Sequence, residues 1–171
     1  MPNRTPNGRH TMNLLKFVAI AAAVATTFAT TTFAETYKVG DLMIEGAWAR
    51  PSIGKTGNSA AYMTITNTGG TADKLIAVST PRAGKAQLHT HIRDKDIMRM
   101  RHVKDGIPVP EKGMAALKPG GYHVMLMRLQ TPIKKGEQIP LTLTFERSGD
   151  ITIQANVQMK PGMKDGMHKH K

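Results

Sequence analysis

Residues 140–157 read PLTLTFERSGDITIQANV, and their alternation decides the fold class. Successive side chains of a β-strand point to opposite faces, so residues two apart share a surface. Leu141, Leu143 and Phe145 fall on one face with Thr142 and Thr144 on the other. After the turn formers Ser148, Gly149 and Asp150, the apolar positions resume at Ile151, Ile153, Ala155 and Val157. Two half-buried strands joined by a short turn make a β-hairpin.

Working outward, the same short segments recur. Leu42 to Trp48, Ala61 to Thr66, Lys74 to Val78, Ala86 to Ile92, Ile97 to Val103, Met114 to Lys118 and Tyr122 to Leu129 are each bounded by Gly, Pro, Asn or Asp. No segment carries a sustained helical period, and no internal repeat is present. Seven to nine strands are expected, in an all-β Greek-key sandwich of two packed sheets. Trp48 and Tyr62, together with Met43, Met63 and Met114, are expected in its core.

Both ends read differently. From Met12, which is an alternative start, a Lys at the head, an apolar run from Phe17 to Ala29 and a small-residue end at Thr32-Phe33-Ala34 have the layout of a secretory signal peptide cut after Ala34. The apolar run is shorter than the roughly 20 residues of a membrane span. The chain therefore divides into a leader (1–34), one folded domain (35–158) and a Met- and His-rich tail (159–171), where Pro161, Gly162 and Gly166 oppose a helix. Export places the mature protein in the periplasm.

Losing residues 1–34 removes Arg4, Arg9 and Lys16 and no acid, leaving 21 Lys and Arg against 12 Asp and Glu, a net charge of +9. A basic surface favours acidic partners by long-range attraction. Nucleic acid is disfavoured by export and by the lack of any recognition motif. No cysteine is present, so stability rests on the packed core. Ten methionines remain in residues 35–171 against three Tyr and one Trp. Methionine fills gaps in cores, and its thioether is also a soft metal ligand.

Every histidine of the folded part lies in three neighbouring strand segments. His89 and His91 share a face of the first; Met98, Met100 and His102 share a face of the second; His123, Met125 and Met127 share a face of the third. If these strands meet, two imidazoles and two thioethers can converge in an uncharged, soft set that suits Cu(I) rather than Mg or Ca. His91 is either a ligand or a neighbour of one, and His102 reads as a surface residue. No nucleophile, phosphate loop or metal site with a carboxylate base is recognisable, so an enzyme is the least supported class.

The pattern His89, ten residues, Met100, twenty-two residues, His123, one residue, Met125 resembles the periplasmic copper chaperones of the PCu(A)C family, whose signature is H-x10-M-x21-H-x-M. LHTH, the MRMR run at 98–101, GIPVP, LKPGGYHVMLM and PLTLTFERSGDITIQ resemble that family as well, over residues 40–158. The second spacer is one residue longer, through the loop VKDG at 103–106. The resemblance implies a cupredoxin-like β-sandwich binding one Cu(I) through His89, Met100, His123 and Met125. It also implies delivery of copper to cytochrome c oxidase subunit II, at its CuA centre, or to another copper-accepting protein with an acidic surface. His91, Met98, Met127, Met159, Met163, Met167, His168 and His170 are auxiliary candidates, with Cu(II) a possible guest of the tail. A monomer is expected.

Two other readings compete. An exported β-sandwich binding or adhesion module would carry these Met and His residues incidentally. An electron-transfer cupredoxin would need a Cys ligand, and the sequence has none.

Overall fold

The computed structural model describes residues 35–52, 57–94 and 97–159. The expected leader and the tail residues Met163, Met167, His168 and His170 lie outside the described residues. Within them run eleven strands and no helix: β1 (Thr36–Val39), β2 (Leu42–Ala49), β3 (Ser59–Asn67), β4 (Asp73–Ser79), β5 (Ala83–Asp94), β6 (Ile97–His102), β7 (Ile107–Val109), β8 (Met114–Leu117), β9 (His123–Leu129), β10 (Gln138–Phe145) and β11 (Gly149–Val157).

Hydrogen bonding orders the strands β6-β5-β9-β3-β2-β11-β10-β4-β7, with β1 on β2 and β8 on β3. The pairs are antiparallel except β2 and β11, which run parallel at Trp48 and Ala49. β3 pairs with β2 along one edge and divides the other between two partners: Ser59, Ala60 and Ala61 pair with β9, and Met63 to Thr66 pair with β8. The path divides there, and β4 and β5 lie in contact within a sandwich-like arrangement.

The β10–β11 hairpin forms as the alternation requires, with Leu141 opposite Ile153 and Leu143 opposite Ile151. Its turn sits slightly earlier than the sequence suggests, at residues 146–148, because Gly149 takes a left-handed backbone (φ +78°) and already begins the return strand. Ile139, Leu141, Leu143, Phe145, Ile153, Ala155 and Val157 are all sealed in the core. Burying each large aliphatic side chain among them is worth about 1.5–3 kcal/mol. Asp73 holds the turn from the next strand. Its carboxylate accepts bonds from the Ser148 hydroxyl (2.6 Å) and from the amides of Lys74 (2.7 Å), Arg147 and Ser148 (both 3.0 Å).

Trp48, Tyr62 and Met63 are buried as expected, and Met43 is half-buried. Met114 is not in the core: it is 62% exposed, because β8 turns Ala115 and Leu117 inward. Sequence reading also missed β1 and β7, whose four and three residues are too short to display a period.

Candidate metal centre

Three strands at one end of the sheet order build the site. β5 is the middle strand, and its register sets the geometry: His89 lies directly opposite His123 on β9 and opposite His102 on β6. One pleat repeat along, His91 faces Met100; in the other direction, Gln87 faces Met125. Directly paired residues project to the same side of a sheet. Every donor expected from the sequence on β5, β6 and β9 therefore shares one face.

The side chains close the arrangement. Ring centroids are 4.9 Å apart for His91 and His123, 5.9 Å for His89 and His123, and 5.6 Å for His89 and His102. A metal–nitrogen bond is about 2.0–2.1 Å, which puts the metal about 3.2 Å from a ring centroid, so two rings on one ion lie within about 6.4 Å. All three pairs meet that limit. A cavity of about 290 Å³ opens beside them, walled by Tyr62, His91, Met100, His123 and Met125. His89 lies next to this wall, paired to His123, and is not part of it.

His123 is the fixed member, only 2% exposed. Its Nδ1 sits 3.0 Å from the Gly121 carbonyl oxygen, so Nδ1–H donates there and Nε2 keeps its lone pair. The segment Lys118-Pro119-Gly120-Gly121 makes that possible. Gly120 adopts φ +83°, the Gly121 amide donates to the Lys118 carbonyl (2.9 Å), and the Lys118 amide donates to the Tyr122 carbonyl (2.8 Å). Behind His123 stands Tyr62 at 6.4 Å, itself packed on Trp48 at 4.5 Å. Alternation marks Tyr62 as a core residue and does not reveal that it also faces the cavity.

Met100 contrasts with His123. It stands on the edge strand β6 and is 51% exposed. Met125 and Met127 are half-buried, and Met98 and His102 are exposed. Met98 and Met127 line up with the site's face but do not line the cavity, and Met159 sits exposed at the end of the described residues.

Burial, foremost, lowers the pKa of His89, aided by the nearby imidazoles of His123, His102 and His91 and by the Lys85 ammonium. Burial also lowers that of His123, against the opposing pull of the Gly121 carbonyl and with help from His91. Both rings are thus held neutral, the form that binds metals. His89 Nδ1 and His91 Nδ1 are buried with no hydrogen-bond partner. Orphaned nitrogens beside two thioethers suit a soft ion. Among the described residues no three His, Cys, Asp or Glu side chains gather at metal-binding spacing.

A family model described as "Putative lipoprotein LpqE-like" matches residues 42–157. The chain is similar to "Putative lipoprotein Lxx21020" of Leifsonia xyli subsp. xyli, 30% identical over 104 residues that make up 61% of each protein. It thus spans about three fifths of that curated relative's length. Among solved structures it is similar to the copper-bound PCuAC domain from PmoF2, at 30% identity and a TM-score of 0.61, over 72% of this chain and 97% of that one. It is also similar to the Cu(I) form of DR1885 from Deinococcus radiodurans, at 28% identity and a TM-score of 0.54, over 78% of this chain and 87% of that one. The fold is the cupredoxin-like β-sandwich of the PCuAC domains.

Proposed function

The chain belongs to the LpqE-like family, and we propose that it is an exported Cu(I) carrier that holds one ion through His89, Met100, His123 and Met125. The observation that carries this reading is the register of β5 with β6 and β9, which gathers these four donors on one face beside a cavity. His91, on the cavity wall, either completes the set or stands in for His89.

The chemistry of carrying follows from the donor types. Thioethers bind Cu(I) and offer little to Cu(II), so the set favours the reduced ion. It is neutral, and an acceptor with two thiolates outcompetes it, which lets delivery run downhill. Half-exposed Met100 gives an acceptor's ligand access to the ion before His123 releases it. Such an acceptor is the CuA centre of cytochrome c oxidase subunit II, or another copper-accepting protein with an acidic surface. The positive charge of Arg99 and Arg101 on β6 and the net charge of +9 over residues 35–171 favour that encounter. Residues 1–34 act as the leader that takes the protein to the periplasm, in keeping with a family of lipoproteins. The 171 residues hold no cysteine to carry a thioether-linked lipid.

The test is an anaerobic titration of Cu(I) against a chromogenic chelator. The parent protein should withdraw about one equivalent, and Met100→Ala and His123→Ala should each hold it clearly less tightly. A parent that withdraws no copper refutes the carrier reading.

A further inference from the structure

The imidazole row does not end at the thioether cavity. His102 lies on the far side of His89 from His123, in the same row of paired residues, with its ring 5.6 Å from that of His89. Gln87 joins the two: its Oε1 is 3.5 Å from His89 Nε2, and its Nε2 is 3.5 Å from His102 Nε2. Both ring nitrogens therefore flank one side-chain amide. Contacts of that length are at the limit of hydrogen bonding and do not fix the rings or the amide. Neither sulfur nor carboxylate belongs to this group.

We propose that His89 Nε2, His102 Nε2 and the Gln87 amide oxygen form a second metal site, selective for a divalent borderline ion and, among these, for Cu(II). The ring separation lies within the span that one ion can bridge between two imidazoles. Rotation of the Gln87 amide, whose oxygen and NH2 ends are similar in size, presents its oxygen to the ion. Two nitrogens and an oxygen suit Cu(II), Ni(II) and Zn(II), and the intrinsic order of affinities puts Cu(II) first. His102 is exposed, so the remaining positions are open to water. The Lys85 ammonium, which already bears on His89, keeps the affinity moderate. One sheet face then carries a sulfur-bearing end for the reduced ion and a nitrogen–oxygen end for the oxidised one. The two ends share His89. A neutral imidazole has one lone pair, so a His89 engaged through Nε2 is withdrawn from Met100 and Met125. The second site does not depend on the carrier reading, because none of its donors except His89 belongs to the soft set.

The full chain with His10, His168 and His170 replaced by Ala, which removes every histidine outside the described residues, is the parent for the test. Aqueous Cu(II) is titrated in competition with nitrilotriacetate and followed by electron paramagnetic resonance. The first equivalent should show hyperfine coupling to two nitrogens, and His102→Ala should weaken Cu(II) binding by about tenfold or more. Because His102 is exposed, this variant folds as the parent does, which a melting curve verifies. Its Cu(I) affinity, read with the chromogenic chelator, should be unchanged. Cu(II) binding that is unaffected by His102→Ala, or that is weakened equally by Met100→Ala, overturns the second site while leaving the carrier reading to its own test.

Discussion

Nδ1 of His123 lies 3.0 Å from the carbonyl oxygen of Gly121, two residues earlier in the chain. That bond selects the tautomer with a bare Nε2 and fixes the ring plane in a residue that is almost wholly buried. His123→Ala should therefore lower Cu(I) affinity by about 100-fold or more, at the upper end of what loss of metal-site partners costs. His102→Ala, which removes an exposed imidazole, should not lower it. Chelator competition on the two variants makes the comparison.

Met98 and Met100 provide a matched pair on one strand. They are 55% and 51% exposed and two residues apart, but Met100 walls the cavity and Met98 does not. Each change to Ala should move stability by no more than about 0.5 kcal/mol, as surface changes do. Copper affinity should fall only for Met100→Ala. Equal losses in the two variants would point to the strand's charge or flexibility rather than to a sulfur ligand.

The lowered pKa values of His89 and His123 set a pH dependence with a definite sign. The unfolded rings take up a proton near the ordinary value of 6.5, whereas the folded rings do so at lower pH. Between those points the unfolded state binds more protons, so folding stability falls as pH drops below about 6.5 and is fully present above it. Copper binding should hold through mild acidification and weaken only once the folded rings protonate. Ring-proton NMR of the metal-free protein should give both histidines midpoints below 6.5, with the apparent melting temperature declining on the acid side.

Asp73 governs a separate acid response, among residues that do not line the copper cavity. Burial alone would raise its pKa, but the Ser148 hydroxyl and the amides of Lys74, Arg147 and Ser148 outweigh that and lower it. A depressed carboxyl contributes stability above its unfolded value, near 3.8, and loses it as pH falls through the folded one. Asp73→Asn should cost about 2 kcal/mol at neutral pH, in line with the loss of bonds to a charged group, and should flatten the acid limb of the stability curve. Thermal unfolding from pH 2 to 7 reads both effects.

The only tryptophan offers an internal reporter. Trp48 stacks on Tyr62, which stands 6.4 Å from His123. Copper bound at His123 should quench Trp48 emission in a saturable way, with the same midpoint as the chelator titration. His123→Ala should abolish the quenching without shifting the emission maximum of the metal-free protein.

Much of this was legible in the sequence because a strand's period of two needs no tertiary information. The hairpin of Leu141, Leu143, Phe145 with Ile151, Ile153 formed as read, and so did the same-face grouping of His89 with His91, Met98 with Met100, and His123 with Met125. What alternation cannot give is phase in a weakly apolar strand. Met114 reads as inward from its own hydrophobicity, while Ala115 and Leu117 set the phase of β8 the other way. Nor can it give the offset between strands, which decides that His91 rather than His89 reaches the cavity wall and that His102 stands beside His89. Tyr62 enters the site through pairing of β3 with β9, a contact between residues some sixty positions apart that no local pattern encodes.

X-ray absorption at the copper edge of the Cu(I)-loaded protein reads the ligand set of β5, β6 and β9 without an intermediary. A mixed shell of about two sulfur and two nitrogen neighbours is expected, with Met100→Ala and Met125→Ala each removing about one sulfur. A shell of nitrogen and oxygen alone, unchanged in both variants, would contradict it and would move the copper chemistry away from the face built by β5, β6 and β9.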